Sequence, residues 1–505
     1  MNRITLIIML VLGFVSVNGL FSQVNEFTHP FILSFEKGIQ PVLAEPGSVV
    51  SVSGKHFKHG KQSLHWQWNN SGDSWRIKQP VPYAPVNPHN DNSVATFVFW
   101  VYAPQTYTDG KLIFSFYKED ELCSWFEYKL GFQGWSGAWV AFDRDMQGNP
   151  QEGMDELRVR VEGAKNGTLY FDHIILSSFQ DVRHHTADFQ APFINAGTTN
   201  HWLTLLESWQ KKCDLPLPDE ITAQQISDIR IIENRLVTIL MNRTKPVSLA
   251  QLTKKYKLYQ VRYHQDSSIS GLPVFFERYG ETYERMGAIR YNLLYDNEMG
   301  LSKLNKLMFD MAVTYRNTSD KEDKETIAGM YINLMRHMLD QGFRAGSAMG
   351  TLHHLGYSMR LYYASALLMR DVLIHSQLDE SVQQAMEWFA GTGEIKTKPT
   401  ISGMDVDAFN TSLTGRLASI LMKADSPEKI RYLRAFTRWV NNGLQYADGT
   451  LGTFKVDGTM FHHRHNYPAY AVGGLEGAVN ATWILHNTTF AIEQSGHENL
   501  KNALL

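Results

Sequence analysis

Between Met460 and Tyr470 the chain reads Met-Phe-His-His-Arg-His-Asn-Tyr-Pro-Ala-Tyr, which packs three histidines, an arginine, an asparagine and two tyrosines into eleven positions. Such groups donate protons, accept them or orient an anion. A run of small residues, Ala471-Val472-Gly473-Gly474, follows. Pro468 divides the segment: the residue before a proline is pushed out of the helical region, whereas proline itself suits a helix's first turn. Tyr470 is therefore predicted in the opening turn of a helix, with His463 on the incoming loop and able to fold back beside it. A tyrosine hydroxyl is a poor base at its unperturbed pKa of about 10. Cationic donors and a helix N-terminus favour the phenolate, so a tyrosine held there can shuttle a proton. An adjoining histidine can act as a second acid/base or hydrogen-bond a carboxylate. Taken singly, each of these residues suits an ordinary loop–helix contact; the cluster as a whole points to chemistry.

Two further irregular segments concentrate polar and aromatic groups. Gly346 to Tyr357 contains the pair His353-His354 before Leu355-Gly356-Tyr357 and leads into a helix around Met359 to Ile374. Adjacent histidines in extended backbone cannot both point the same way, so one can face a cleft while the other packs. A metal there would lack neighbouring Asp or Cys ligands. Thr400 to Thr411 carries Asp405, Asp407 and Asn410 near a helix start. The aspartates are read as N-caps; Asn410 is open to another use, because an amide can neutralise a carboxylate without being charged.

These segments need elements to hold them, and the periodicity changes once along the chain. From about Pro30 to Ser178, short β-branched and aromatic runs are separated by Gly, Asn, Asp and Pro clusters: Val49–Ser53, Ala95–Tyr102, Leu112–Tyr117, Leu157–Val161 and Leu169–Leu176. That spacing predicts a β-sandwich of jelly-roll type. After about Pro216 the period is helical, in stripes such as Ile226-Ile229-Ile232-Leu236-Leu240, Leu301-Leu304-Leu307-Met308-Met311, Ile327-Met330-Leu334-Met338, Leu413-Leu417-Leu421 and Leu433-Phe436-Val440. Successive helices joined by moderate loops predict stacked antiparallel pairs. In the first half, Glu36 and Asp172 with loop carbonyls are candidates to hold a hard divalent cation such as calcium or magnesium; solvated surface acids are the plainer reading.

At 505 residues the chain is too long for one ordinary core. Residues 1–22 read as a secretory signal peptide, with Arg3, the apolar run Ile4–Val15, and Gly19 or Ser22 as a small residue for cleavage. Residues 23–180 form the predicted β domain, 181–215 a linker, and 216–505 the helical domain. Net charge is −3, which argues against nucleic acid as a partner. Once the leader is cleaved, no membrane association is expected. The apolar run is too short for a comfortable span. Cys123 and Cys213 permit at most one disulfide. An exported, secreted or periplasmic bacterial monomer fits these features. Aromatics at 12% suit a carbohydrate-binding surface as well as large cores.

In their order, the blocks His353-His354-Leu355-Gly356-Tyr357-Ser358-Met359-Arg360, Asp407-Ala408-Phe409-Asn410-Thr411, Asp457-Gly458-Thr459 and His463-Arg464-His465-Asn466-Tyr467-Pro468-Ala469-Tyr470 resemble the chondroitin sulfate ABC lyases. These belong to the wider group of α/α-toroid polysaccharide lyases. Lys61–Leu64 and Gly134–Val140 extend the resemblance into the first half. It implies a jelly-roll β-sandwich followed by an α/α toroid, and β-elimination at the uronic acid of chondroitin or dermatan sulfate, an acidic glycosaminoglycan, with no cofactor required for the chemistry. By resemblance, Tyr470 protonates the leaving group and takes the C5 proton of glucuronate, and His463 assists. Iduronate presents that proton on the opposite face, and His353 or His354 is the base expected there. Asn410, with Arg464, Asn466, Tyr357 and Arg360, is expected to bind substrate. Family members continue beyond this length and carry a catalytic arginine and glutamate downstream, whereas this chain stops at Leu505. The expectation is an incomplete toroid with weak or no activity, and a glycan-binding protein is the runner-up. A hydrolase on the same toroid would need two converging carboxylates, and these segments offer His and Tyr instead.

Overall fold

The computed structural model describes residues 32–505 except 59, 88–91, 196–203, 275, 277–278, 280–299 and 353, so the leader and His353 lie outside the described residues. The chain forms two compact units. One comprises the described residues of Met1–Thr199, Glu277–Gly300 and Ala348–Thr351; the other comprises those of Asn200–Phe276, Leu301–Ser347 and Leu352–Leu505.

The first unit is a sandwich of two antiparallel sheets. One has strands β3 (Ser48–Ser53), β4 (Ser63–Trp68), β12 (Gly167–Asp181), β6 (Ser93–Ala103) and β9 (Gly134–Ala141) in that order, with β1 (Ile32–Leu33) also paired to β12. The other runs β10 (Gln147–Gly148), β8 (Glu121–Lys129), β7 (Lys111–Lys118), β11 (Glu156–Glu162), β5 (Ser74–Lys78) and β2 (Val42–Ala44). Strand alternation sends Phe97, Phe99 and Val101 of β6 into the shared core with Phe114, Phe116 and Phe126. Phe114 and Phe126 face each other across β7 and β8 with rings stacked 4.8 Å apart, a cross-strand pair worth about 0.5–1.5 kcal/mol beyond its buried area. The other face of β6 is also covered: Trp100 packs edge-on to Trp139 and Tyr279. Burial on both faces explains why Phe97–Ala103 of this strand is a continuous apolar run.

Glu36 and Asp172 both reach the loop that follows β3. Glu36 Oε1 accepts the backbone N–H groups of Lys61 and Gln62, each at 3.0 Å. Asp172, fully buried, accepts those of Lys58 at 2.7 Å and His173 at 2.8 Å. The backbone donors already satisfy much of both carboxylates' charge. Cys123 and Cys213 are free thiols.

The second unit is helical, as the stripes predicted. Ala223–Met241 starts on a capping box between Thr222 and Gln225 and buries Ile229, Ile232, Leu236 and Leu240. Leu355–Leu368 buries Met359, Tyr362, Tyr363 and Leu367. The helix expected to continue to Ile374 instead breaks at Met369 and resumes as Arg370–His375. Leu413–Met422, Pro427–Gly443 and Pro468–Leu485 complete the elements that position the site. No helix among the described residues is long and apolar enough to cross a membrane.

Candidate active site

The histidine-rich segment folds as a hairpin feeding a helix. Phe461–His462 pairs antiparallel with His465–Asn466, and the two residues between, His463 and Arg464, have φ of 50° and 67°. Positive φ at both central positions is the type I′ pattern, which matches the twist of the flanking strands. Pro468 then opens the helix Pro468–Leu485, and Tyr470 lies in its first turn, its N–H bonded to the Tyr467 carbonyl at 3.1 Å.

Strand alternation decides which histidine meets that tyrosine. His462 points inward, 3% exposed, and its ring stacks on Tyr470 at 4.5 Å. His463, exposed at the turn, sits over His462 at 3.8 Å and stands 6.4 Å from Tyr470, edge-on. His463 thus folds back to edge-on contact with Tyr470, and His462 lies nearer still, because a two-residue turn leaves its own side chains outside while the preceding strand residue faces in. Arg464 and Asn466 are also exposed on the hairpin.

Facing the hairpin, the buried Asp407 joins a polar cluster with the buried His462 and the exposed Tyr357 and Asp405. Tyr357 donates its hydroxyl to Asp407 Oδ1 at 2.9 Å. Asp407 Oδ2 lies 3.9 Å from His462 Nε2, and His462 Nδ1 is 3.3 Å from Asp405 Oδ2. Asp405 also accepts the Asp407 N–H at 2.9 Å. The two aspartates were expected to cap a helix; Asp405 does hold a local backbone amide, but the Asp407 side chain turns to Tyr357 and His462 instead of a cap. Burial of its hydroxyl end, followed by the Asp407 charge and the hydrogen bond to it, pushes the Tyr357 phenol well above its ordinary range. Tyr357 thus stands here as a hydrogen-bond donor to Asp407. His354, at a left-handed φ of 59°, lies 5.9 Å from the Tyr357 ring. Asp405, Asp407 and His462 each offer a ligand atom within 4.8 Å of one another, a grouping that can hold a metal; the hydrogen bond that Asp405 Oδ2 accepts from His462 Nδ1 gives it an organising role without one.

Asn410 rides on one turn of π-helix, Ala408–Ser412, a local widening common at functional sites. The Pro468–Leu485 helix lies so close to this turn that it is glycine where it touches. A Cβ on Gly473 would come 3.1 Å from the Asn410 amide, one on Gly474 2.2 Å from Val406, and one on Gly477 2.3 Å from the Phe409 carbonyl oxygen. The small-residue run therefore sets the approach of Tyr470's helix to Asn410's turn. Beyond Asn410 opens a cavity of about 190 Å³ that Arg360 also lines, with Arg243, Glu476 and Asn480. Arg360 lies over the Tyr357 ring at 4.7 Å, and burial draws its guanidinium pKa below the ordinary value.

Tyr470, Tyr357, Arg360, Asn410 and His354 are thus on elements that converge, with His463 above them. The residues missed from sequence are His462, Asp405 as its partner, Arg243, Glu476 and Asn480. His462 carried a signal, being one strand position before the turn.

Comparison with known proteins matches the chain to lyases. A family described as "Lyase, catalytic" matches residues 215–505, and one described as "Lyase, N terminal" matches residues 30–193. A chondroitin sulfate ABC exolyase of Bacteroides thetaiotaomicron is 38% identical over 98% of this chain and 49% of its own length. From Proteus vulgaris, a chondroitin sulfate ABC exolyase is 29% identical over 90% of the chain and 47% of its own length, and a chondroitin sulfate ABC endolyase 26% identical over 92% and 48%. The chain spans about half the length of the curated relatives it matches.

Proposed function

The chain belongs to the lyase family that its catalytic and N-terminal domain matches define, and from that premise we propose that it cleaves chondroitin and dermatan sulfate by β-elimination at the uronic acid. The observation that carries this reading is Tyr470 in the first turn of a helix, stacked on a buried histidine, with Asn410 on the facing turn.

In the reaction a base removes the C5 proton of the uronate, the C4–O bond to the next sugar breaks, a C4–C5 double bond forms, and the departing oxygen takes a proton. The C5 proton is weakly acidic beside a carboxylate, so the carboxylate charge must be met by donors as the enolate-like state develops. Asn410 would supply one donor and Arg360, on the same cavity wall, a cation. Tyr470 would take the glucuronate proton and return one to the leaving oxygen, with His463 assisting from the hairpin tip. For iduronate the base would be His353 or His354. Arg464, Asn466 and Tyr357 would hold the polymer around the cleavage point. The cation read at Glu36 and Asp172 belongs to the same proposal: calcium or magnesium there would tie down the loop after β3, away from the elimination steps. Export to the periplasm or medium, where such polymers are met, goes with the leader.

Incubation with chondroitin sulfate and dermatan sulfate, following ultraviolet absorbance of the unsaturated product, tests the proposal. Slow product formation that vanishes in Tyr470→Phe is expected. Retention of the polymer with no product favours the glycan-binding alternative. Reducing ends without the unsaturated chromophore would rule out elimination.

A further inference from the structure

The cavity behind Asn410 holds more positive charge than the elimination uses. Arg243, just past the C-terminus of Ala223–Met241, and Asn480, two turns beyond Asn410's contact at Gly473, both line it with Arg360 and Asn410. At about 190 Å³ it exceeds several times the ~30 Å³ share of one water. The charges are weakly committed. Arg243 meets Glu476 through one contact at 3.4 Å, with both side chains substantially exposed, a pairing of small energetic value. Arg360 Nε is buried without a hydrogen-bond partner, and a guanidinium needs its forked donors satisfied when desolvated. Leu236, Leu240 and Ile484 form the apolar wall, which strengthens the field felt by an anion inside.

We propose that this cavity is a subsite for a second anionic group of the polymer, either a sulfate ester or the carboxylate of a neighbouring uronate, held by Arg243 and the Asn480 amide, while Arg360 and Asn410 on the same lining meet the reacting carboxylate. Glu476 is the competing charge: it holds Arg243 when the site is empty and yields it when an oxyanion enters. Two guanidinium groups against one carboxylate leave a net positive site, and planar, multi-donor recognition of a tetrahedral or planar oxyanion is what guanidinium does best. The inference rests on the reading of the substrate as an acidic glycosaminoglycan and adds which residues of this chain read its charge.

The test is calorimetric titration of the whole chain with chondroitin sulfate oligosaccharides and with chemically desulfated oligosaccharides of the same length. Arg243→Gln is expected to weaken binding about tenfold, the scale of one charged hydrogen bond. Glu476→Gln is expected to tighten it several-fold, so loss of fold cannot mimic both results. If Arg243→Gln removes the preference for the sulfated ligand, the site takes the sulfate ester; if it weakens both ligands alike, the site takes a carboxylate. Unchanged affinity in both variants, with Tyr470-dependent product still formed, overturns the subsite and leaves the lyase reading standing. A chain that neither binds nor cleaves either polymer overturns both.

Discussion

Gly477→Ala adds a single methyl group, and the structure predicts that it will be felt across the site. The new Cβ would lie 2.3 Å from the Phe409 carbonyl oxygen and 2.8 Å from its carbon, whereas ordinary contact begins at 3.4 Å. Both atoms are backbone, so no side chain can swing aside. The Pro468–Leu485 helix or the π-helical turn must retreat by about 1 Å, a misplacement that can cost about 10²-fold in rate when it reaches reacting groups. Replacing glycine by alanine within a helix gains about 1 kcal/mol, and overpacking against backbone costs about 3 kcal/mol, so a net loss of about 2 kcal/mol is expected. The matched control is Gly329→Ala in the Lys321–Asp340 helix, where an added Cβ meets nothing within 4 Å; it should be neutral or stabilising by up to about 1 kcal/mol. Urea unfolding gives the stability difference, and oligosaccharide titration reports on the Asn410 side of the site. If Gly477→Ala unfolds at the same urea concentration as Gly329→Ala and binds ligand like the parent chain, the close-approach argument is wrong.

Asp407→Asn should lower the pKa of the Tyr357 phenol, because the carboxylate charge and its hydrogen bond help hold it up; tyrosinate absorbance against pH, in this variant and the parent, reads the shift, and an unmoved titration would break the link. Glu387→Gln should cost about 3–5 kcal/mol in urea unfolding, since the buried Glu387 meets Lys423 at 2.8 Å and Lys396 at 3.3 Å and both lysines would be left without it; a cost under about 1 kcal/mol would count against that role. The β unit should lose stability on acidification. Burial first, then nearby positive charge, lowers His56 and His185 each to about 3, so folded rings stay neutral while unfolded ones protonate below about 6.5. The unfolded state then binds more protons, and stability is full above about pH 6.5 and falls toward pH 3, by at most about 1.4 kcal/mol per pH unit for each histidine. Melting temperatures at pH 7 and pH 5 check this, and an equal or higher value at pH 5 would contradict it.

Much of this protein is legible without coordinates. Alternation in Leu157–Val161 and the stripe Ile229-Ile232-Leu236-Leu240 fix element type, because burial of one face imposes periods of 2 and 3.6. Pro468 marks a helix start through its own backbone chemistry, and Tyr470 follows as a first-turn residue. These are local properties, carried by a few neighbouring residues. What lay beyond the sequence is pairing over distance. Asp405 and His462 are 57 positions apart, and Tyr357 and Asp407 are 50 apart, so neither the turn of the Asp407 side chain away from a cap nor the inward packing of His462 is visible in local pattern. A shift of one position in a strand exchanges the inward and outward side chains, and only the hairpin's I′ turn sets that register. The glycines after Tyr470 show the same division: sequence displays a small-residue run, and only the packed helix reveals that it brings Tyr470's helix to within backbone contact of Asn410's turn.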